Sequence, residues 1–76
     1  MKTKVTLNQI IEQAKSLTAN GFEKFLNENR IDFDVLDSDN LFDVNEGFYN
    51  VRVVNKNFNP TTILFCDGEY QDHSEE

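Results

Sequence analysis

Six carboxylates, Asp32, Asp34, Asp37, Asp39, Asp43 and Glu46, fall between Ile31 and Asn50 in a stretch that contains no lysine or arginine. The first chemistry they suggest is cation binding. A helix–loop–helix calcium loop needs oxygen ligands at positions 1, 3 and 5, glycine at 6 and a bidentate acid at 12. Counted from Asp37, position 3 is Asp39, but positions 5, 6 and 12 are Leu41, Phe42 and Phe48. Counted from Asp32, position 5 is Leu36, position 6 is Asp37 rather than glycine, and position 12 is Asp43. Neither register supplies the ligand set, so no metal site is expected beyond loose, non-specific association with Asp37 and Asp39.

Carboxylate-pair catalysis requires two acids whose pKa values are pushed apart in a partly dry cleft. A chain of 76 residues has little mass to enclose one, and a solvated acidic face is the simpler reading. Cys66 and His73 are the only cysteine and the only histidine, hence the only nucleophile and imidazole base on offer. Cys66 ends the apolar run Ile63-Leu64-Phe65 and is expected in the core, where free cysteine usually resides. His73 lies among Gln71, Asp72, Ser74 and Glu75 and is expected in solvent. One cysteine and one histidine make no zinc site, and three scattered glycines make no phosphate loop. The expectation is therefore a non-enzymatic protein without a cofactor.

The charge has a direction as well as a size. The formal net charge is −7. Residues 31–50 hold six acids and 67–76 hold five, both without a base, while residues 1–30 carry five bases against three acids. Such a field repels nucleic acid and anionic membrane and attracts cationic surfaces. Arg52 and Lys56 near Tyr49 and Phe58 are too few, between two acidic blocks, to form the basic groove that direct nucleic-acid binding needs.

Alternation makes Asp32 and Asp34 neighbours on one strand face, about 6.6–6.8 Å apart from twice the strand rise. A protein that neutralises a row of phosphates with lysine and arginine accepts a row of carboxylates on the same grounds. The leading expectation is thus a small acidic binding protein, an inhibitor or regulator that docks on a basic, nucleic-acid-handling protein, in the manner of a DNA mimic. Small acidic inhibitors of this style are frequent in phages and mobile elements, which is an analogy only. The expected contact residues are the six acids together with Phe48 and Phe58, loop aromatics within an acidic rim, where interfaces place their dominant anchors. The competing expectation is a structural module, a homodimer that associates through a sheet edge or face.

The elements that position these residues are legible from periodicity. Thr6-x-x-Gln9 is a capping box and Val5 with Ile10 a hydrophobic staple. Leu7, Ile10, Ile11, Ala14 and Leu17 follow on one helical face, giving a helix over about 6–18. Asn20-x-x-Glu23, with Gly21 closing the first helix, suggests a second helix over about 21–29 carrying Phe22, Phe25 and Leu26. After Arg30 the period becomes two. Ile31, Phe33 and Val35 alternate with Asp32 and Asp34 as a strand. Leu41, Phe42 and Val44 suggest a short strand closed by Asn45-Glu46-Gly47. Residues 48–54 make another strand, then a loop runs to Pro60, and Thr61–Cys66 is the strongest strand. Asp67-Gly68 is a tight-turn dipeptide.

These elements predict α+β: two N-terminal helices packed on one face of a small antiparallel meander sheet of three to four strands. Residues 1–69 form the single compact domain, and 70–76 an acidic tail that frays after a brief pairing at Tyr70. A lone cysteine excludes an intrachain disulfide. The chain has no apolar run near the ~18 residues a span needs. Met1-Lys2-Thr3-Lys4 lacks the apolar segment of a signal peptide behind it. A cytoplasmic location is the expectation that follows.

Overall fold

A computed structural model describes residues 5–76; the basic stretch Met1-Lys2-Thr3-Lys4 lies outside the described residues. Helix α1 spans Leu7–Ser16 and helix α2 spans Ala19–Glu28; strands β1 Asp32–Ser38, β2 Phe48–Asn55, β3 Phe58–Cys66 and β4 Glu69–Glu75 follow. The four strands form one antiparallel sheet in the order β1-β2-β3-β4. The fold is α+β, with the helices N-terminal to a meander.

Local chemistry explains the helix ends. The Thr6 hydroxyl accepts from the Gln9 amide at 3.2 Å and the Gln9 side chain accepts from the Thr6 amide at 3.0 Å, so the capping box closes in both directions. Val5 and Ile10 both join the core, as a staple requires. The break to α2 falls at Leu17-Thr18 rather than Asn20-Gly21. Thr18 is the N-cap, its hydroxyl accepting from Gly21 at 3.1 Å. Asn20 instead donates its amide to the Asn45 side chain at 2.9 Å, and Ala19 donates to the Gly68 carbonyl at 3.0 Å. The amides that open α2 are thus met by its own cap and by two distant loops.

Helix α2 ends in a Schellman motif. Ile31 N–H bonds to the Leu26 carbonyl at 2.9 Å and Arg30 N–H to the Asn27 carbonyl at 3.2 Å, the paired bonds of that closure. Arg30 takes the left-handed position, φ 56°, that glycine usually fills. Leu26 and Ile31 are both buried, supplying the apolar contact that accompanies the motif.

The sheet departs from expectation in three places. Leu41, Phe42 and Val44 form no strand; residues 39–47 are a structured loop between β1 and β2. Pro60 lies inside β3 rather than before it, next to a register irregularity between Val53 and Asn55 of β2, where a missing donor is tolerated. The strand does not end near Tyr70: residues Glu69–Glu75 pair along β3 from Cys66 to Thr61. The Asp67-Gly68 turn has φ of 50° and 84°, the two positive values of a type I′ hairpin.

Directly opposed residues of antiparallel strands share a face, which sorts the sheet. Tyr49, Val51, Val53, Thr61, Ile63 and Phe65 point to the helices and are buried. They meet Ile10, Ile11, Ala14, Ala19, Phe22 and Leu26. Phe65 is central, with ring centroids 5.4 Å from Phe22, 6.1 Å from Tyr49 and 6.4 Å, edge-on, from Tyr70. Each such fully buried large side chain contributes about 1.5–3 kcal/mol from apolar burial, so a domain of this size depends on a handful of them.

Candidate partner-docking surface

The other sheet face carries no helices. Register places Asp32 opposite Val54, Asp34 opposite Arg52, and Asp37 opposite Asn50. On the far side, Asp72 lies opposite Leu64, Ser74 opposite Thr62 and Glu69 opposite Cys66. The open face therefore has acids on both edge strands and an uncharged centre of Asn50, Val54, Thr62, Leu64 and Cys66, with Arg52 as the only base on β2 and β3 within it. Arg52 is already engaged: Nε and a terminal nitrogen hold the Glu76 carboxylate at 2.5 and 3.0 Å. That bond, with help from the nearby Asp34, raises the guanidinium pKa further and holds the Glu76 carboxyl below its usual range.

Asp39, Asp43 and Glu46 sit in the β1–β2 loop, at the end of the sheet that also holds the β3–β4 turn. Here polar side chains substitute for strand pairing. The Asn40 side-chain oxygen accepts from Phe42 and Asp43 amides at 2.9 and 3.2 Å, and Asp43 accepts from Asn45 at 3.1 Å. These local bonds are what a strand across Leu41-Phe42 would have had to displace. Asp39 accepts from the Phe48 amide at 2.8 Å while its own amide donates to the Phe48 carbonyl at 3.0 Å. Gly47 and Asp67 are joined twice, Gly47 N–H to the Asp67 carboxylate at 3.1 Å and Asp67 N–H to the Gly47 carbonyl at 2.8 Å. Loop, turn and the start of α2 form one hydrogen-bonded block.

That block turns Val44 inward and leaves Leu41 and Phe42 outside. Phe42 is as exposed as in an extended chain, at 102%. Phe48, on the open face, and Leu36, at the irregular position of β1 between Val35 and Asp37, are also exposed. Phe58, by contrast, is half-buried and packs against the core. The end of the sheet thus offers Leu41, Phe42 and Phe48 among Asp37, Asp39, Asp43 and Glu46. Among the described residues no lysine or arginine nitrogen lies within 4.0 Å of any of the six carboxylates; the one ion pair is Arg52–Glu76.

The two candidate reactive side chains are not where their local sequence puts them. Cys66 is half-exposed on the open face rather than in the core. His73 is half-buried on the helix side of β4, its Nδ1 bonded to the Tyr70 hydroxyl at 2.6 Å. They point to opposite faces, Cys66 aligned with Phe48 and His73 with Ile63, so they form no pair. Lys15 lies over the Tyr70 ring, 5.8 Å from its centroid. Among the described residues no group of three His, Cys, Asp or Glu side chains converges on a metal position, and no helix is long and apolar enough to cross a membrane.

Phe42 is the exposed aromatic that periodicity assigned to a strand. Its signal was present in Asn40, whose short amide two residues earlier favours a turn over a strand. No family model matches the chain, and neither curated proteins nor solved structures give a match.

Proposed function

We propose that this chain is a small, non-enzymatic binding protein that docks on a basic protein partner and occludes its polyanion-binding surface, as an inhibitor or regulator. The observation that carries this reading is a line of acids along β1 and its following loop, running up to exposed apolar side chains at one end of the sheet. Asp32, Asp34 and Asp37 share the open face, Asp37 lying at the end where Leu41 and Phe42 stand out of the adjoining loop. Carboxylates steer a cationic surface inward, and exposed aromatics then supply desolvated contact area. The same acids oppose self-association through β1, because antiparallel pairing with its own copy brings like charges together.

The test is affinity capture from host lysate with the wild-type protein at about 50 mM salt, followed by a wash at about 300 mM, where the screening length is less than half as long. The expected result is a basic protein that elutes in the wash and is not retained by the Asp32→Asn/Asp34→Asn/Asp37→Asn triple variant. Added protein should displace nucleic acid from that partner. Retention that ignores both salt and the triple variant would rule the reading out.

A further inference from the structure

The two edges of the sheet differ in a way that specifies how a basic partner would attach. On the β4 side, α1 lies against the strand, and Lys15 over Tyr70 covers its apolar side. On the β1 side α2 makes a contact of similar extent, but it leaves part of the strand's apolar side open. Val35 lies on the helix face in register with Val51, which is fully buried, yet Val35 is 39% exposed. The sheet overhangs its helical layer there. Leu36 beside it is exposed as well, and Phe33, also on the helix side, is only partly buried.

Strand β1 therefore presents three things along one line. Its outer backbone groups face away from β2, its only neighbour in the sheet. Phe33 and Val35 form an apolar shelf on one side, and Asp32 and Asp34 project on the other. An added strand would set its alternate side chains on those same two sides. Apolar residues would extend the shelf, and lysine or arginine would lie opposite the carboxylates. The register shift at Leu36 interrupts regular pairing at that point, so the regular docking segment runs from Asp32 to Val35.

We propose that the β1 edge accepts an extended basic segment of the partner, with lysine or arginine alternating with apolar residues, as a fifth strand of the sheet. This rests on the docking function above and names the structural form its partner must offer. A second copy of this chain fits the edge poorly because its β1 carries the same acids. A folded cationic surface without an extended segment would use the open face but leave the edge backbone unpaired.

The experiment uses the full chain and two synthetic peptides of about seven residues, roughly matching β1 at the strand rise. One alternates lysine and valine; the other has the same composition in two blocks. Affinity is read by fluorescence anisotropy, and amide exchange of β1 by NMR. The expected result is about tenfold tighter binding of the alternating peptide, since only it satisfies both sides of the edge. Amides of the Asp32–Val35 segment should exchange more slowly when it binds. Asp34→Asn, at an exposed position, should weaken binding several-fold, and N-methylation of the peptide's pairing amides should abolish the difference between sequences.

Equal affinity for the two peptides, or shifts on the open face without β1 protection, would overturn the edge proposal while leaving acid-driven docking intact. Failure of both peptides would also overturn it, and the lysate capture then decides the docking function separately. Dimerisation of the free chain with slowed β1 exchange would overturn it in favour of self-pairing.

Discussion

Gly47→Ala should cost this domain a large part of its stability, and the cost can be assembled from the loop geometry. Gly47 has φ of 70°, a left-handed conformation that disfavours alanine by about 1 kcal/mol relative to glycine. A Cβ there would collide with the Asp39 carboxylate oxygen Oδ2 and lie 2.7 Å from the Asp39 Cβ. The second contact is to an atom fixed to the backbone, so a rotamer change alone does not relieve it. Asp39 must move, and its 2.8 Å bond from the Phe48 amide is lost. A hydrogen bond to a charged group is worth about 1.5–3 kcal/mol, with the lower end fitting an exposed site. The total is about 3 kcal/mol, against roughly 4–11 kcal/mol for a domain of this length at 0.05–0.15 kcal/mol per residue.

At roughly 4–8 °C per kcal/mol for a domain of this size, the melting temperature should fall by about 12–24 °C. The assay is thermal and urea denaturation of wild type, Gly47→Ala, Asp39→Ala and the double variant. The Asp39→Ala background has already lost the Phe48 bond and the carboxylate clash, so Gly47→Ala should cost less there than in wild type. A fall of less than about 3 °C, or strict additivity in the double variant, would refute the reasoning.

Three further outcomes follow from positions already described. Arg30→Gly should raise stability by about 0.5–1 kcal/mol, because glycine adopts the left-handed Schellman position without a Cβ penalty; a shift to lower urea midpoint would contradict it. Phe42→Ser should change the unfolding free energy by no more than the ~0.5 kcal/mol typical of surface changes while reducing retention of the captured partner, so destabilisation would show Phe42 to be structural. Tyr49 is fully buried and donates its hydroxyl to Glu23 at 2.8 Å, and burial first, then that bond and the carboxylate charge, raise its pKa above the ordinary value. The unfolded chain loses this proton near pH 10 and the folded chain keeps it. Stability is therefore held below pH 10 and falls as pH rises beyond it; a Tyr49→Phe variant should show a shallower alkaline decline in melting temperature.

The features that the sequence made legible were those decided by near neighbours. Thr6 and Gln9 are three residues apart and satisfy each other, so their capping box needs no tertiary partner. The alternation Asp32-Phe33-Asp34-Val35 likewise fixes which side chains share a face. Asn20 is not the cap because the Thr18 hydroxyl, two residues earlier, takes the Gly21 amide; the Asn20 amide, now inside the first turn, is met by Asn45, a partner no local pattern reveals. Leu41, Phe42 and Val44 suggest a short strand, but the Asn40 and Asp43 side chains take the backbone amides there. Residues Gln71–Glu75 are polar enough to suggest fraying, yet β3 offers them an edge, and pairing outweighs composition. For the candidate surface, the acids were visible from charge alone. Cys66 faces outward because it alternates with the inward Ile63 and Phe65 of its own strand, and Phe58 packs against the core at the start of that strand.

The ties from Ala19 to the Gly68 carbonyl and from Asn20 to Asn45 carry a consequence for the order in which the molecule is completed. Each bond spans a long stretch of chain, so the leading end of α2 is fixed only once the β1–β2 loop and the β3–β4 turn have both formed. Closure of that end is therefore a non-local step, which loop-closure entropy makes later than the closing of the Thr6–Gln9 cap.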